Sequence, residues 1–293
     1  MDTLKIEAYA KINLGLDVVR RLENGYHEVK MVMQTVGISD TITLTKTEQG
    51  ITVTTDSGEI PADENNLVYK VAKLLKETCD IKEGVAIHLE KRIPVAAGMA
   101  GGSTDAAAVF KGMNELFSLG LSQEELQKLG VKLGADIPYC IMGGTALAEG
   151  IGEKLTALPD APNCFLLVAK PDINVSTKYV YENLNLPGLK KHPDIDGMVE
   201  AIKAGDLDGV IDRMDNVLAS VTEEKYPIIT ELKQFMEQNG AKKALMSGSG
   251  PTVFGIYDKE DAAVAASEKL AEKNLAKQIF VTTFQRKETT DAG

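Results

Sequence analysis

Between Gly84 and Phe117 the chain passes from an alternating strand pattern, through a turn crowded with small residues, into a helix. That succession limits the possible fold more than any other stretch. GVAIHLEKRIPV alternates apolar and polar residues up to Val95, as a half-buried strand does. AAGMAGGSTD follows, and then AAAVFKGMNELF, whose Val109, Phe110, Met113, Leu116 and Phe117 share one stripe at helical spacing. Ser103–Thr104–Asp105 marks the expected helix start. Gly98, Gly101 and Gly102 let the backbone approach a ligand closely and adopt positive φ. The unpaired N–H groups of the helix start, assisted by its dipole, then face an anion. The expected phosphate loop is Pro94, Val95, Ala96, Ala97, Gly98, Met99, Ala100, Gly101, Gly102, Ser103 and Thr104.

Two familiar phosphate loops are excluded. A Walker A loop requires a glycine–lysine pair, and none follows this run. A Rossmann fingerprint has a second glycine where Ala100 stands, and its βαβ context is missing. On its own, a glycine-rich turn with no ligand explains the run equally well.

The rest of the chain reads as α+β in two domains. Leu4 to Val18 alternates with period two, which puts Tyr9, Lys11 and Asn13 on one face. VKMVMQTV, DTITLTKT and GITVTT read as further strands, and Leu67 to Glu77 as a helix. Ser122 with Glu125 forms a capping-box signature for a helix ending at Gly134. Thr145–Glu149 and Cys164–Ala169 are strand candidates, while Ile195–Leu218, Pro227–Asn239 and Ala262–Glu272 read as helical. LPDAPN breaks the pattern near Ala157–Asn163, so the expected domains are 1–160, with the phosphate loop, and 161–293.

Composition narrows the partners. The net charge of −11 disfavours nucleic acid and anionic membranes, and the longest basic cluster is the short Lys190–Lys191–His192. Cys79, Cys140 and Cys164 have neither disulfide nor zinc spacing, and Cys140 and Cys164 read as small buried hydrophobes. The N-terminus lacks the pattern of a signal peptide, and no apolar run approaches ~18 residues, so the expected location is cytoplasmic.

Three further signals are weak separately. In isolation Lys11 beside Asn13 in AKINLGLDV reads first as a solvated strand face, Asp136 in LGADIPY as a turn carboxylate, and SGSGPT at 247–252 as a tight turn. Taken in this order along the chain with the 94–104 run, they resemble the motif series of the GHMP kinases, from Tyr9 to Thr252. That resemblance implies a ribosomal-protein-like N-terminal domain and a ferredoxin-like C-terminal domain. It also implies an ATP-dependent small-molecule kinase with Mg2+ as cofactor, although the metal's ligands are not assigned. Asp136 would orient the acceptor hydroxyl and take its proton. Lys11 would keep that aspartate ionised and offset charge on the transferred group, and Asn13 would bond the acceptor's polyol.

Within the family, NGYHEV and GADIPYCIMGGTALAEGIGE resemble the branch acting in the non-mevalonate route to isoprenoid precursors. The acceptor there is a cytidine diphosphate ester of methylerythritol, phosphorylated on its 2-hydroxyl. The resemblance implies that His27 bonds the cytosine edge, and that Tyr26 and Tyr181 stack on the base, with Tyr179 the alternative to Tyr181. His88 and His192 read as surface histidines. Ala100 departs from a position often glycine in the wider family. The expected partners are this small molecule and ATP, with no nucleic acid and no membrane, in a monomer or weak homodimer. Two alternatives are another GHMP kinase, acting on homoserine, mevalonate or a sugar, and a non-catalytic nucleotide-binding protein.

Overall fold

The computed structural model describes residues 2–189 and 191–286; Lys190 of the short basic cluster lies outside them. The chain packs as two compact units, each assembled from separate stretches. The first takes the chain up to Ala10, then Ile38–Val95 and Ala100–Met142; the second takes Lys11–Gly37, Ala96–Met99 and the chain from Gly143 onward. Strands β1 (Thr3–Arg21) and β2 (His27–Thr47) each begin in one unit and end in the other.

The first unit adds β3 (Ile51–Thr55), α1 (Leu67–Cys79), β4 (Gly84–Glu90), α2 (Gly101–Leu116), α3 (Gln123–Gly130) and α4 (Ile137–Met142). Its strands run in the order β3–β4–β2–β1, with β4 antiparallel to β2 and parallel to β3. The period-two pattern of β2 and β4 sends Ile42, Leu44, Val85, Ile87 and Leu89 into a core shared with Val71 and Leu75 of α1 and Val109, Phe110 and Met113 of α2. Asn66 caps α1 by accepting the Val68 amide at 3.1 Å. The capping box of α3 forms as the sequence predicts, Ser122 and Glu125 each bonding the other's backbone N–H.

The second unit continues with β5 (Thr145–Gly150), β6 (Lys154–Ala157), β7 (Phe165–Lys170), α5 (Thr177–Asn183), α6 (Ile195–Ala204), α7 (Leu207–Arg213) and β8 (Asp215–Asn216). It is completed by α8 (Ala219–Lys225), α9 (Ile228–Gln238), β9 (Lys243–Met246), β10 (Val253–Tyr257), α10 (Glu260–Lys273) and β11 (Gln278–Thr283). β5 pairs antiparallel with β2, and β8 pairs parallel with β1 at Gly15 and Leu16. A separate antiparallel sheet runs β11–β7–β10–β9, with α9 packed on β9 and β10 and α10 on β7 and β11. Among the described residues no helix is long and apolar enough to cross a membrane.

Four expectations change in detail. VKMVMQTV and DTITLTKT are parts of one strand, since the intervening residues remain extended. α3 stops at Gly130, four residues early, because Lys132 and Leu133 bond Leu129 and Gly130 in tight i−3 turns. The fourth-strand pattern was expected to reach Val95, but β4 stops at Glu90. There the Lys91 amide turns to Asp56 Oδ1 at 2.9 Å, and the Arg92 and Ile93 amides turn to Asp40 Oδ1 at 2.5 and 2.8 Å. Finally, α2 starts at Gly101 behind a left-handed Ala100 with φ of 58°, two residues before the expected Ser103.

Asp40 belongs to a buried cluster. Its second oxygen bonds the Lys91 ammonium, which also lies 2.6 Å from Asp105 Oδ2 on α2. Burial works against the Lys91 charge, but the two carboxylates outweigh it and raise its pKa. Two carboxylates then compete for one ammonium. Burial pushes the Asp105 carboxyl up to about 8, with the Asp40 charge adding to the shift and Lys91 opposing it. A native Asp105 therefore keeps a proton that the unfolded chain releases near pH ~4. Its contribution is full below that value and is lost as pH rises through about 8. The melting temperature of the wild type is expected to fall from pH 5 to pH 9 more steeply than that of Asp105→Asn; equal slopes would contradict the assignment.

Candidate active site

The 94–104 run is anchored to β1 from both units. In the second, the Lys11 amide donates to the Met99 carbonyl at 3.2 Å. In the first, the buried Thr104 side chain donates its hydroxyl to the Tyr9 carbonyl at 2.5 Å. Ala96, Gly98 and Ala100 all adopt positive φ, of 50°, 72° and 58°. For alanine this costs about 1–2 kcal/mol per residue, which explains why glycine suits position 100. Strain of this kind collects at ligand clamps. The amides of Gly101, Gly102 and Ser103, in the first turn of α2, have no intrahelical acceptor.

Gly98 docks on the SGSGP loop within the second unit. The Ser247 hydroxyl donates to its carbonyl at 2.9 Å. Asn216 holds that loop by donating its amide to the Met246 and Gly248 carbonyls, both at 2.8 Å. Sequence reading missed Asn216, whose local context of MDNVL carries no motif.

Lys11 is not on a solvated face: it is 5% exposed and donates to Asn13 Oδ1 at 2.8 Å. The period-two argument that put the two on one face thus agrees with the structure. Asn13 is fully buried, and its Nδ2 points to Met31 Sδ at 3.2 Å. Asp136 lies in the first unit, half-buried, immediately before α4, and its carbonyl accepts the Cys140 amide at 3.0 Å. The neighbouring Gly134 faces α2, since a Cβ there would stand 4.0 Å from Ser103 Oγ. The turn that carries Asp136 therefore sits beside the start of α2.

The aromatic residues separate clearly. The Tyr181 ring of α5 lies 5.1 Å from the His27 ring, tilted by 35°. Tyr179 is turned elsewhere, with the Lys225 ammonium 3.5 Å over its ring. Tyr26 is 58% exposed at the β1–β2 turn. Burial, with the Arg21 charge second, lowers the His27 pKa and so favours the neutral imidazole, which has one donor and one acceptor nitrogen. His88 is exposed as expected, with Nδ1 2.9 Å from Thr54 Oγ1. His192 is exposed as expected, and it meets Asp17 of β1 at 2.8 Å. Cys164 is buried as expected, whereas Cys140 is only half-buried.

Within the first unit the unpaired amides of the α2 start and the Asp136 turn lie side by side, and the second unit holds the buried Lys11–Asn13 pair. Comparison with known proteins gives the class. The model of the GHMP kinases N terminal domain matches residues 66–144, and that of the GHMP kinases C terminal domain matches 198–276. The chain belongs to the GHMP kinases.

More particularly, it is 55% identical, over 96% of its length and 98% of the relative's, to the 4-diphosphocytidyl-2-C-methyl-D-erythritol kinase of Lachnospira eligens. It is 54% identical, over 97% and 98%, to the protein of that name from Lachnoclostridium phytofermentans. A crystal structure of 4-(cytidine 5'-diphospho)-2C-methyl-D-erythritol kinase superposes with a TM-score of 0.82 at 30% identity, covering 96% of this chain and 99% of the other. The homoserine kinase of Cytophaga hutchinsonii, 21% identical with a TM-score of 0.78, shares the fold over 98% and 96% of the two chains.

Proposed function

We propose that this chain transfers the γ-phosphoryl group of ATP to the 2-hydroxyl of 4-diphosphocytidyl-2-C-methyl-D-erythritol, as a cytoplasmic enzyme of isoprenoid precursor synthesis. The observation that carries this reading is the identity of 54–55% over nearly the whole chain to kinases named for that substrate. In the transfer, the acceptor oxygen bonds the γ-phosphorus as its proton passes to Asp136. The bond from the γ-phosphorus to the bridging oxygen breaks, and ADP leaves. Such chemistry needs positioning and charge stabilisation more than covalent participation. Lys11 supplies positive charge to the transferred group, held in place by Asn13, whose second Nδ2 hydrogen is left for the polyol. The 94–104 loop holds the ATP phosphates.

Among the described residues no three acidic, histidine or cysteine side chains cluster to hold a metal. Mg2+ usually keeps several waters and binds through one or two carboxylates and the substrate's phosphates. Bound in that way it would neutralise phosphate charge, and the loop would receive metal and nucleotide together.

His27 and Tyr181 give the cytosine its site. A neutral imidazole can bond the base edge, and base–aromatic stacking is worth about 1–3 kcal/mol. The placement of Tyr181 beside His27, with Tyr179 occupied by Lys225, supports Tyr181 as the stacking partner. Tyr26, exposed on the preceding turn, is the second stacking face in this reading. His27→Ala is expected to raise KM for the cytidine ester roughly 3- to 10-fold, the worth of one hydrogen bond, and KM for ATP much less. Equal effects on both would count against the cytosine site.

A further inference from the structure

The Asp40–Lys91–Asp105 cluster has no part in the transfer as described, yet its side chains are 0%, 6% and 3% exposed. Lys91 leaves the end of β4 and reaches the first turns of α2. One ammonium there joins Asp40 of β2 to Asp105, while Asp40 also takes the Arg92 and Ile93 amides. The segment it fixes touches the helix start directly. A Cβ on Gly101 would stand 3.2 Å from Ile93 and 3.6 Å from Lys91 Nζ. Asp105 Oδ1 is buried without a hydrogen-bond partner among the described residues, a cost that the cluster tolerates.

Among the described residues, the charged groups that act on Asp105 are Lys91 and Asp40. α1 turns Val68, Val71, Ala72 and Leu75 inward, and its Lys70, Lys73 and Glu77 are exposed. α4 carries no acidic or basic side chain, and Glu7 of β1 is occupied by Ser39 and Thr41. Buried ion clusters are poor sources of stability, because well-packed apolar residues of similar volume do as well or better. What they supply is fixed length and direction.

We propose that Lys91 is a positioning residue for the nucleotide, its ammonium setting where the first-turn amides of α2 point. The inference rests on the assignment of this loop to ATP. Removing the ammonium leaves the buried Asp40 carboxylate without a counter-charge and Asp105 without its donor, and the segment 91–93 and the helix start move apart.

Lys91→Met is expected to raise KM for ATP roughly 10-fold or more, because small misplacements at a reacting group are expensive. KM for the cytidine ester stays within about 2-fold, since no base or polyol contact is touched. Lys91→Arg, which keeps the charge and its donors, recovers most of the loss. A purely structural lysine would instead lower the melting temperature and leave both KM values unchanged below it. Should Lys91→Met fail to fold, Asp105→Leu keeps the Asp40–Lys91 bond and removes only the helix's acceptor for the ammonium. A selective rise in the ATP KM is expected there too, and its absence would overturn the proposal. Amide exchange at Arg92 and Ile93, followed without substrate, tests the latch separately. Faster exchange in the lysine or aspartate variants supports it, and unchanged exchange overturns it. If exchange accelerates but the wild-type chain binds no fluorescent ATP analogue, the nucleotide assignment fails and the latch stands.

Discussion

Replacing Asp136 by asparagine is expected to lower kcat roughly 10²- to 10⁴-fold, the usual worth of a positioned general base, while ATP binding stays near the wild-type value. The substitution preserves shape and removes only the capacity to accept a proton. Asp136 is fixed by its backbone, whose carbonyl receives the Cys140 amide at the start of α4, so the turn does not depend on the side chain's charge. That turn lies beside Ser103 at the start of α2, where the transferred phosphate is expected. Steady-state kinetics together with titration of an ATP analogue separates the two effects. Turnover within a few-fold of wild type would remove Asp136 from the base role. Parallel loss of nucleotide binding would make it a structural residue instead.

Gly98→Val is expected to abolish nucleotide binding and to lower the melting temperature. Gly98 has φ of +72°, and a Cβ there would stand 2.2 Å from the Ser247 carbonyl oxygen and 3.1 Å from that of Gly250. Both obstacles are backbone atoms and cannot rotate away. The left-handed conformation alone costs about 1–2 kcal/mol for a non-glycine residue, and the collision adds to it. The Ser247 hydrogen bond to the Gly98 carbonyl would be lost as the strands of the loop separate. Gly102→Ala is the contrast in stability, because its nearest new neighbour is Leu67 Cδ1 at 3.6 Å, an ordinary contact. Similar melting temperatures for Gly98→Val and Gly102→Ala would show that the docking of Gly98 on the SGSGP loop is unimportant.

Local patterns made much of the fold legible. The capping box of α3 and the stripe of α2 depend on residues a few positions apart, and each appears as the sequence predicts, whereas β1, a strand as expected, is buried on both faces from Ala10 to Val18. Features set by distant partners were not legible. β4 ends where it does because Asp40, some fifty residues earlier, takes the amides of Arg92 and Ile93. β6 and β11 are short or half-buried and give little alternation to read. The GHMP resemblance supplied the candidate residues, but not their states. Lys11 is buried because both faces of β1 are covered around it, which alternation does not predict. Tyr179 and Tyr181 are two residues apart on one short helix, and only the positions of His27 and Lys225 distinguish them.

One signal was available and unused. Asp105 precedes Val109 by four residues and Met113 by eight, so it lies on the buried stripe of α2. An acid on an apolar stripe requires a buried partner.

ATP consumption by the purified chain decides which acceptor it phosphorylates. The acceptors to compare are 4-diphosphocytidyl-2-C-methyl-D-erythritol, mevalonate and homoserine, each with Mg2+ present. ADP release that depends on the cytidine ester, with the other two near background, is the predicted result. Turnover of mevalonate or homoserine without turnover of the ester would contradict it.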